Sequence, residues 1–379
     1  PFWPYHEPTD SQAIRAARPD GPRRFALAQS DDQQRDRLLG AWLGRAAGCL
    51  LGKPVEGWPR ERILGYLAEA GEEQLADYWP RVPSQEELYA RQPRRLDCLR
   101  GNIRFMPRDD DMDYPILGLR ILEHHGPDFT SVDVAHAWLT HLPYELVYTA
   151  ERAAYRNLVN GFAPPESATI RNPYREWIGA QIRADVWGYV AAGWPEKAAE
   201  FAHRDATVSH SRNGVYGEMF FAAAIAAALV LDDLEAVIDA GLTEIPTRSR
   251  FARMVADVRT AHARHRHWED AWESLMRTYG HYHWVHTLNN AALVLLALLY
   301  GAGDYERTIT LAVLGGLDTD CNGATAGSIL GAMLGASRLP ERWIAPLNDR
   351  VQSIVIGDTD CRFSDLVSRA LAVRQRVLG

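Results

Sequence analysis

At 379 residues, 47% apolar and 24% charged, the chain is large enough to bury a deep core and has an ordinary globular composition. Its net charge of −8 and scattered arginines give no basic footprint for nucleic acid, and no apolar run reaches the roughly 20 residues of a membrane-spanning helix. Four cysteines without CxxC spacing, and a start that lacks the pattern of a secretory leader, predict reduced thiols in a cytoplasmic protein.

In chain order, residues 1–33 read as an N-terminal extension, whose opening PFWPYHEPTD is either an extended segment laying its aromatics on the body or a poorly ordered tail. From Asp32 to Gly52, DQQRDRLLGAWLGRAAGCLLG repeats apolar residues at helical spacing and ends on glycine, which predicts a buried helix. Residues from about 57 to 108 are polar and proline-bearing (GWPRER, DYWPRVPSQEE, RQPRR), as in an inserted segment that walls a cleft. Helical periodicity then marks 115–125, 131–142, 145–160, 176–190, 195–204, 214–231, 247–263, 267–278, 284–300, 303–315, 321–335, 339–352 and 364–377. Ser131 and Ser364 are N-cap candidates and Asn160-Gly161 is a stop. FFAAAIAAALVL is apolar nearly all round, as expected of a central helix buried on every side. No segment alternates with period two. The expected fold is all-α, one compact helical domain over residues 34–379 broken by the insertion.

Two places concentrate carboxylates beside these helices: Asp109, Asp110, Asp111 and Asp113 in RDDDMDY, and Asp318 and Asp320 in GGLDTDCNGATAG. Adjacent carboxylates repel, and burial raises their pKa unless a cation neutralises them. One reading makes each cluster a solvated cap on the next helix, worth about 0.3–1 kcal/mol. The other is a hard-cation site, since Mg²⁺ takes oxygen ligands. The glycines before Asp318 and the small residues after it suit a pocket that backbone approaches closely. The echo GDTDC at 357–361 lacks both features, so Asp358 and Asp360 read as a polar loop before the last helix. His281, His283 and His286 fit no common zinc spacing and sit among aromatics, which predicts packing.

The ordered set of motifs resembles the ADP-ribosylglycohydrolase family: GCLLGKPVEG at 48–57 for its GDxLGxPxE-like motif, DDDM at 109–112 for TDDT, and GGLDTDCNGATAG at 315–327 for GGDTD(T/S). Two weaker similarities are IGAQIRADVWG at 178–188 and ATVSHSRNGVYGEMFFAAAIA at 206–226. The likeness spans about residues 34–355 and implies an all-α fold with a central cleft holding two Mg²⁺ ions. It implies metal ligands at Asp109, Asp110, Asp111, Asp318, Asp320 and Cys321. Catalytic roles fall on Glu56, Asp110 and Asp320, and substrate contacts on Glu56, Arg183, Ser209, His210 and Asn322.

This sequence departs from the pattern at four positions. Asp109 stands for a threonine, Met112 for a second hydroxyl residue, Cys321 for a Thr or Ser ligand and Cys49 for an aspartate. Thiols are poor Mg²⁺ ligands, so the centre has either two metals, with Asp109 supplying the lost oxygen, or one. The expected activity is Mg²⁺-dependent cleavage of an N- or O-glycosidic bond in an ADP-ribosylated protein or a ribosyl small molecule by a monomer. Alternatives are a glycohydrolase of a free nucleoside or NAD-derived metabolite, and a silent ADP-ribose-binding protein. Among the aromatics, Trp187, Tyr216 and Trp284 are candidates to stack on a ligand ring.

Overall fold

The computed structural model describes residues 3–379, the Arg94 side chain apart; the first two residues of the N-terminal extension lie outside it. In chain order the helices are α1 (Ser11–Ala17), α2 (Asp31–Gly52), α3 (Arg60–Glu69), α4 (Glu86–Arg91), α5 (Asp110–His125), α6 (Ser131–His141), α7 (Thr149–Val159), α8 (Glu166–Thr169), α9 (Ala184–Val190) and α10 (Pro195–Ala206). They continue as α11 (Asn213–Ala228), α12 (Leu234–Leu242), α13 (Arg250–Arg264), α14 (Trp268–Tyr279), α15 (Thr287–Gly301), α16 (Tyr305–Leu314), α17 (Thr319–Leu334), α18 (Glu341–Ile344) and α19 (Phe363–Leu378). The expected all-α class holds, with one small exception: β1 (Arg350–Gln352) pairs antiparallel with β2 (Asp360–Arg362).

The architecture is organised by the contact between α2 and α17, the most extensive between any two elements. Gly40, Gly44, Gly48 and Gly52 recur every fourth residue on α2, as Thr319, Gly323, Gly327 and Gly331 do on α17. That spacing puts each set on one helix face. A Cβ on Gly48 would lie 2.0 Å from the Gly323 carbonyl oxygen, and one on Gly44 2.3 Å from that of Gly327. The pairing runs from Gly40 against Gly331 to Gly52 against Thr319, so the helices are antiparallel and the C-terminus of α2 meets the N-terminus of α17. Around them α11 and α15 are buried along their whole lengths, as their all-round apolar sequences require.

Several expected boundaries shift for identifiable reasons. Residues 176–180 are not helical, because Ile178 N–H donates to the Val285 carbonyl at 2.8 Å and Trp177 bridges His286; the same pairing delays the helix expected from 284 to Thr287. The segment 339–352 breaks after α18, where Pro346 and the left-handed Asn348 and Asp349 turn the chain into β1. The 145–160 helix starts at Thr149 after a 3₁₀ turn. Thr130, not Ser131, caps α6, and Ser364 sits in the first turn of α19, where its N–H donates to Asp349 at 2.9 Å. The helices α1 and α12 were not legible as separate elements. The extension is tied down by polar contacts more than by its aromatics: Glu7 grips Arg250 at 2.8 Å, Arg18 reaches Glu244 at 2.5 Å, and Trp3 stays 58% exposed.

The glycine contact makes a direct prediction. Gly327→Ala would push a Cβ to 2.2 Å from the Gly44 oxygen, and urea denaturation should show a loss of about 1–3 kcal/mol, the usual cost of overpacking. Gly65→Ala, on exposed α3 with open space around it, should instead gain about 0.5–1 kcal/mol from helix propensity.

Candidate functional site

The α2–α17 contact delivers two loops to one place. Glu56 follows the 3₁₀ turn that ends α2, and Asp318 stands at the N-cap position of α17. The two loops are stitched by Gly57 N–H to the Leu317 carbonyl at 2.9 Å and Leu317 N–H to the Trp58 carbonyl at 3.3 Å, while the Thr319 hydroxyl donates to the Gly52 carbonyl at 2.8 Å. This explains the glycine pair before the aspartates: Gly316 has φ +75°, and a Cβ there would lie 2.9 Å from the Trp58 oxygen. Leu317 also adopts φ +64°, a strained conformation costing about 1–3 kcal/mol that surrounding structure must hold. Asn290 helps hold it, its amide oxygen accepting from Asp318 N–H at 3.1 Å and from the Asn322 amide at 2.9 Å. Asp318 makes no capping bond with its own side chain, so the solvated-cap reading fails for this cluster.

The other half comes from the start of α5. Asp109 does cap its helix, accepting from Asp111 N–H at 3.0 Å, and its second oxygen takes the Lys53 ammonium. Asp111 is held by Arg45 of α2, which donates to its Oδ1 at 2.8 Å and to its carbonyl at 2.8 Å, and reaches Asp185 at 2.7 Å and the Ile182 carbonyl at 2.7 Å. Asp110 is partly exposed in the same first turn. Asp113 turns away to Arg108 (2.7 Å) and Ile354 N–H (2.9 Å).

These side chains converge. One ligand atom from each of Glu56, Asp318 and Asp320 lies within 4.8 Å of the others, as do those of Asp111, Asp320 and Cys321, and of Cys49, Asp109 and Asp111. Burial and Asp109's charge push Asp320 up to about 6. Burial and the Asp320 charge push Asp318 up further, and the Asp320 charge followed by burial raises Glu56 well above the carboxylate range. Burial also raises Asp111, against Arg45. Only Asp109 is lowered, because Lys53, Arg108 and the Asp111 N–H together outweigh its burial. Such a set is short of positive charge. The residues fit a hard divalent cation: Asp111 Oδ2 and Asp320 Oδ1 are buried oxygens without a hydrogen-bond partner, the form in which Mg²⁺ is held. Cys321 fits less well, since burial and the neighbouring carboxylates keep its thiol protonated.

The remaining expected residues lie elsewhere in the interior. Arg183 is 1% exposed, bonded to Asp205 and Glu151 at 2.6 Å each and to the Ser209 hydroxyl at 3.1 Å, while that hydroxyl also meets His210 Nδ1 at 2.8 Å. Arg183 and Ser209 are thus engaged within the protein, whereas His210 keeps its buried Nε2 without a partner. Asn322 does join the centre through Asn290, with its own Oδ1 unpartnered. The GDTDC echo is structural: Asp358 pairs with Arg120 and Arg369 at 2.9 Å each, and Asp360 accepts from Arg350 Nε and Nη2 at 2.7 Å each. His283 stacks on Trp177 and His286 caps α15. Trp187 is buried against Phe129 and Tyr216 bonds Pro8, leaving Trp284, half-exposed beside Gly57, as the aromatic at the site.

A cleft of about 700 Å³ opens onto Lys53 and Glu56, within the usual size of a small-molecule site. Its lining also includes Arg95 and Arg108 from the chain between Gly57 and α5 and Tyr148 from the turn before α7. Arg45 and Lys53 escaped sequence reasoning. A lone arginine among small and apolar residues of α2 was the available signal for the first, and one of only two lysines in the chain for the second.

The sequence profile described as ADP-ribosylglycohydrolase matches residues 30–376. A solved structure titled "ADP-ribosylglycohydrolase-related protein complex" aligns over 91% of this chain and 99% of that one, with a TM-score of 0.57 and 20% identity, a likeness of fold. Among curated proteins none matches significantly.

The raised carboxyls predict a pH dependence. Asp320 has a folded pKa of about 6 against an ordinary 3.8, so the folded chain binds its proton more tightly than the unfolded one. That contribution to stability is complete below about pH 4 and is lost as pH rises through about 6. In EDTA, the denaturation midpoint of the wild type should fall more steeply between pH 4 and 7 than that of Asp320→Asn. Equal slopes would contradict the assignment.

Proposed function

Since the chain belongs to the ADP-ribosylglycohydrolase family, we propose that it is a Mg²⁺-dependent hydrolase of the glycosidic bond in an ADP-ribosyl or related ribosyl substrate. The observation that carries the cation dependence is the pair of orphaned, buried carboxylate oxygens on Asp111 and Asp320. Bound there, the cation supplies a means to orient ribose hydroxyls and a water and to neutralise the surrounding charge. The family membership supports the bond type; the sequence departures leave the leaving group open.

The chain's own residues have separable tasks. Glu56 lies at the edge of the cleft with its carboxyl raised by the Asp320 charge and by burial, which suits it to exchange a proton between its carboxyl oxygen and an attacking water or departing group. Such help is typically worth about 10²–10⁴-fold in rate. Arg45 positions Asp111, and Asn290 positions the Asp318 loop. Trp284, beside the Glu56–Gly57 corner, offers a ring face to a nucleobase. The insertion-walled cleft equally accommodates a free nucleoside-like metabolite, and the protonated thiol of Cys321 favours the silent-binder alternative.

Titration calorimetry of ADP-ribose with Mg²⁺ and with EDTA tests the reading; binding that ignores EDTA would refute it. Asp320→Ala should abolish Mg²⁺ binding while the circular dichroism spectrum is retained, whereas Asp360→Ala, in the surface hairpin, should leave the metal in place. Full metal occupancy in Asp320→Ala would remove the centre as proposed. Cys321→Ser separates enzyme from silent binder: an active enzyme should change less than about threefold in turnover, whereas a silent protein should gain metal affinity or activity.

A further inference from the structure

The three sets of converging donors are not equivalent. Both oxygens of Asp109 are already engaged, one by Asp111 N–H at 3.0 Å and the other by the Lys53 ammonium. Lys53 is fixed in turn: it follows the last residue of α2, its side chain is only 20% exposed, and its Nζ also donates to the Arg108 carbonyl at 3.0 Å. The third member of that set is the fully buried thiol of Cys49, a poor partner for a hard cation. By contrast, Asp111 Oδ2 and Asp320 Oδ1 have no partner, and Asp320 belongs to both of the other sets. The carboxylates therefore divide into one with both oxygens engaged, Asp109, and a group that keeps buried oxygens nothing in the chain satisfies, Asp111 Oδ2 and Asp320 Oδ1.

We propose that Lys53 is a resident cation of the acidic centre: its ammonium takes the Asp109 half, so that the chain holds one divalent ion, on the Asp320 side, and not two. The inference rests on the reading of this centre as a divalent-cation site and specifies its stoichiometry. One departure in the sequence is thereby explained. An aspartate where the family pattern has a neutral threonine adds a negative charge, and the lysine of GCLLGKPVE, three residues before Glu56, supplies the matching positive one. A fixed ammonium against Asp109 also repels a second divalent ion from the same carboxylate, since like charges at contact distance in a buried site interact strongly.

The test is to count ions in the full chain. After stripping with EDTA, the protein is dialysed against Mn²⁺, an oxygen-seeking ion visible to electron paramagnetic resonance, and bound metal is measured per chain. The wild type is expected to saturate at one Mn²⁺ with the spectrum of an isolated ion. Lys53→Met should take two, with the altered spectrum of a coupled pair, and Lys53→Arg, which keeps the charge, should stay at one. Two ions in the wild type, or one in a Lys53→Met chain that retains its circular dichroism, would overturn the proposal while leaving the cation site intact. No Mn²⁺ in any variant would overturn the cation reading itself, and this inference with it. If Lys53→Met fails to fold, the wild-type count and Lys53→Arg still decide.

Discussion

Everything at the site depends on two helices touching backbone to backbone. The glycine faces of α2 and α17 remove the side chains that would hold the axes apart, and the contact is antiparallel, so one helix's end is the other's beginning. Glu56 and the Asp318–Asp320 segment are neighbours for that reason alone. The hydrogen bonds between the 57–58 and 317 backbones then fix their relation, and the left-handed Gly316 and Leu317 are tolerated because the pairing determines their conformation from both sides. A rigid pair of elements is the usual foundation for a constellation that must be held to within fractions of an ångström.

That geometry creates an electrostatic problem which the chain solves only in part. Arg45 bridges α2 to Asp111 and Asp185, whose partner Tyr189 reaches Ser328 of α17 at 2.8 Å. A buried ion network of this kind is weak evidence for stability but strong evidence of placement, because removing one member strands the rest. Arg45 aims one oxygen of Asp111 and leaves the other bare; Lys53 satisfies Asp109 and none of the aspartates of the late motif. The imbalance is localised, and Glu56, which lines the cleft, lies within ligand distance of Asp318 and Asp320. The Arg183 cluster shows the contrasting case, in which Glu151 and Asp205 share a cation within the fold.

Much of this was legible in the sequence, and the illegible parts share a cause. Apolar residues at helical spacing announced buried helices, and the two aspartate clusters do meet while the GDTDC echo lies apart from them; the glycines at every fourth residue of α2 and α17 were there to be read and were not. Periodicity failed for two reasons: 177–178 pairs with 285–286, over a hundred positions away, and the strands 350–352 and 360–362 are only three residues long, too short to show a period. The same limit applies to side chains. Arg183 looked available because a sequence does not show that Glu151 and Asp205 surround it, and Lys53 looked incidental because its partner lies 56 positions away.

The cleft wall has a different origin from the centre it faces. The carboxylates sit at the ends of the helix pair and at the start of α5, whereas Arg95 and Arg108 come from the chain between Gly57 and α5, where Arg95 anchors to the Lys53 and Pro54 carbonyls at 3.2 and 2.7 Å. The rim is also rooted in the core, since Tyr78 and Trp79 of the same segment are fully buried and the Trp79 indole donates to the Leu51 carbonyl of α2 at 2.8 Å. An engineer who reshapes the exposed arginines can change what the cleft admits, but replacing the whole segment would uncover the helix that carries Lys53 and Glu56.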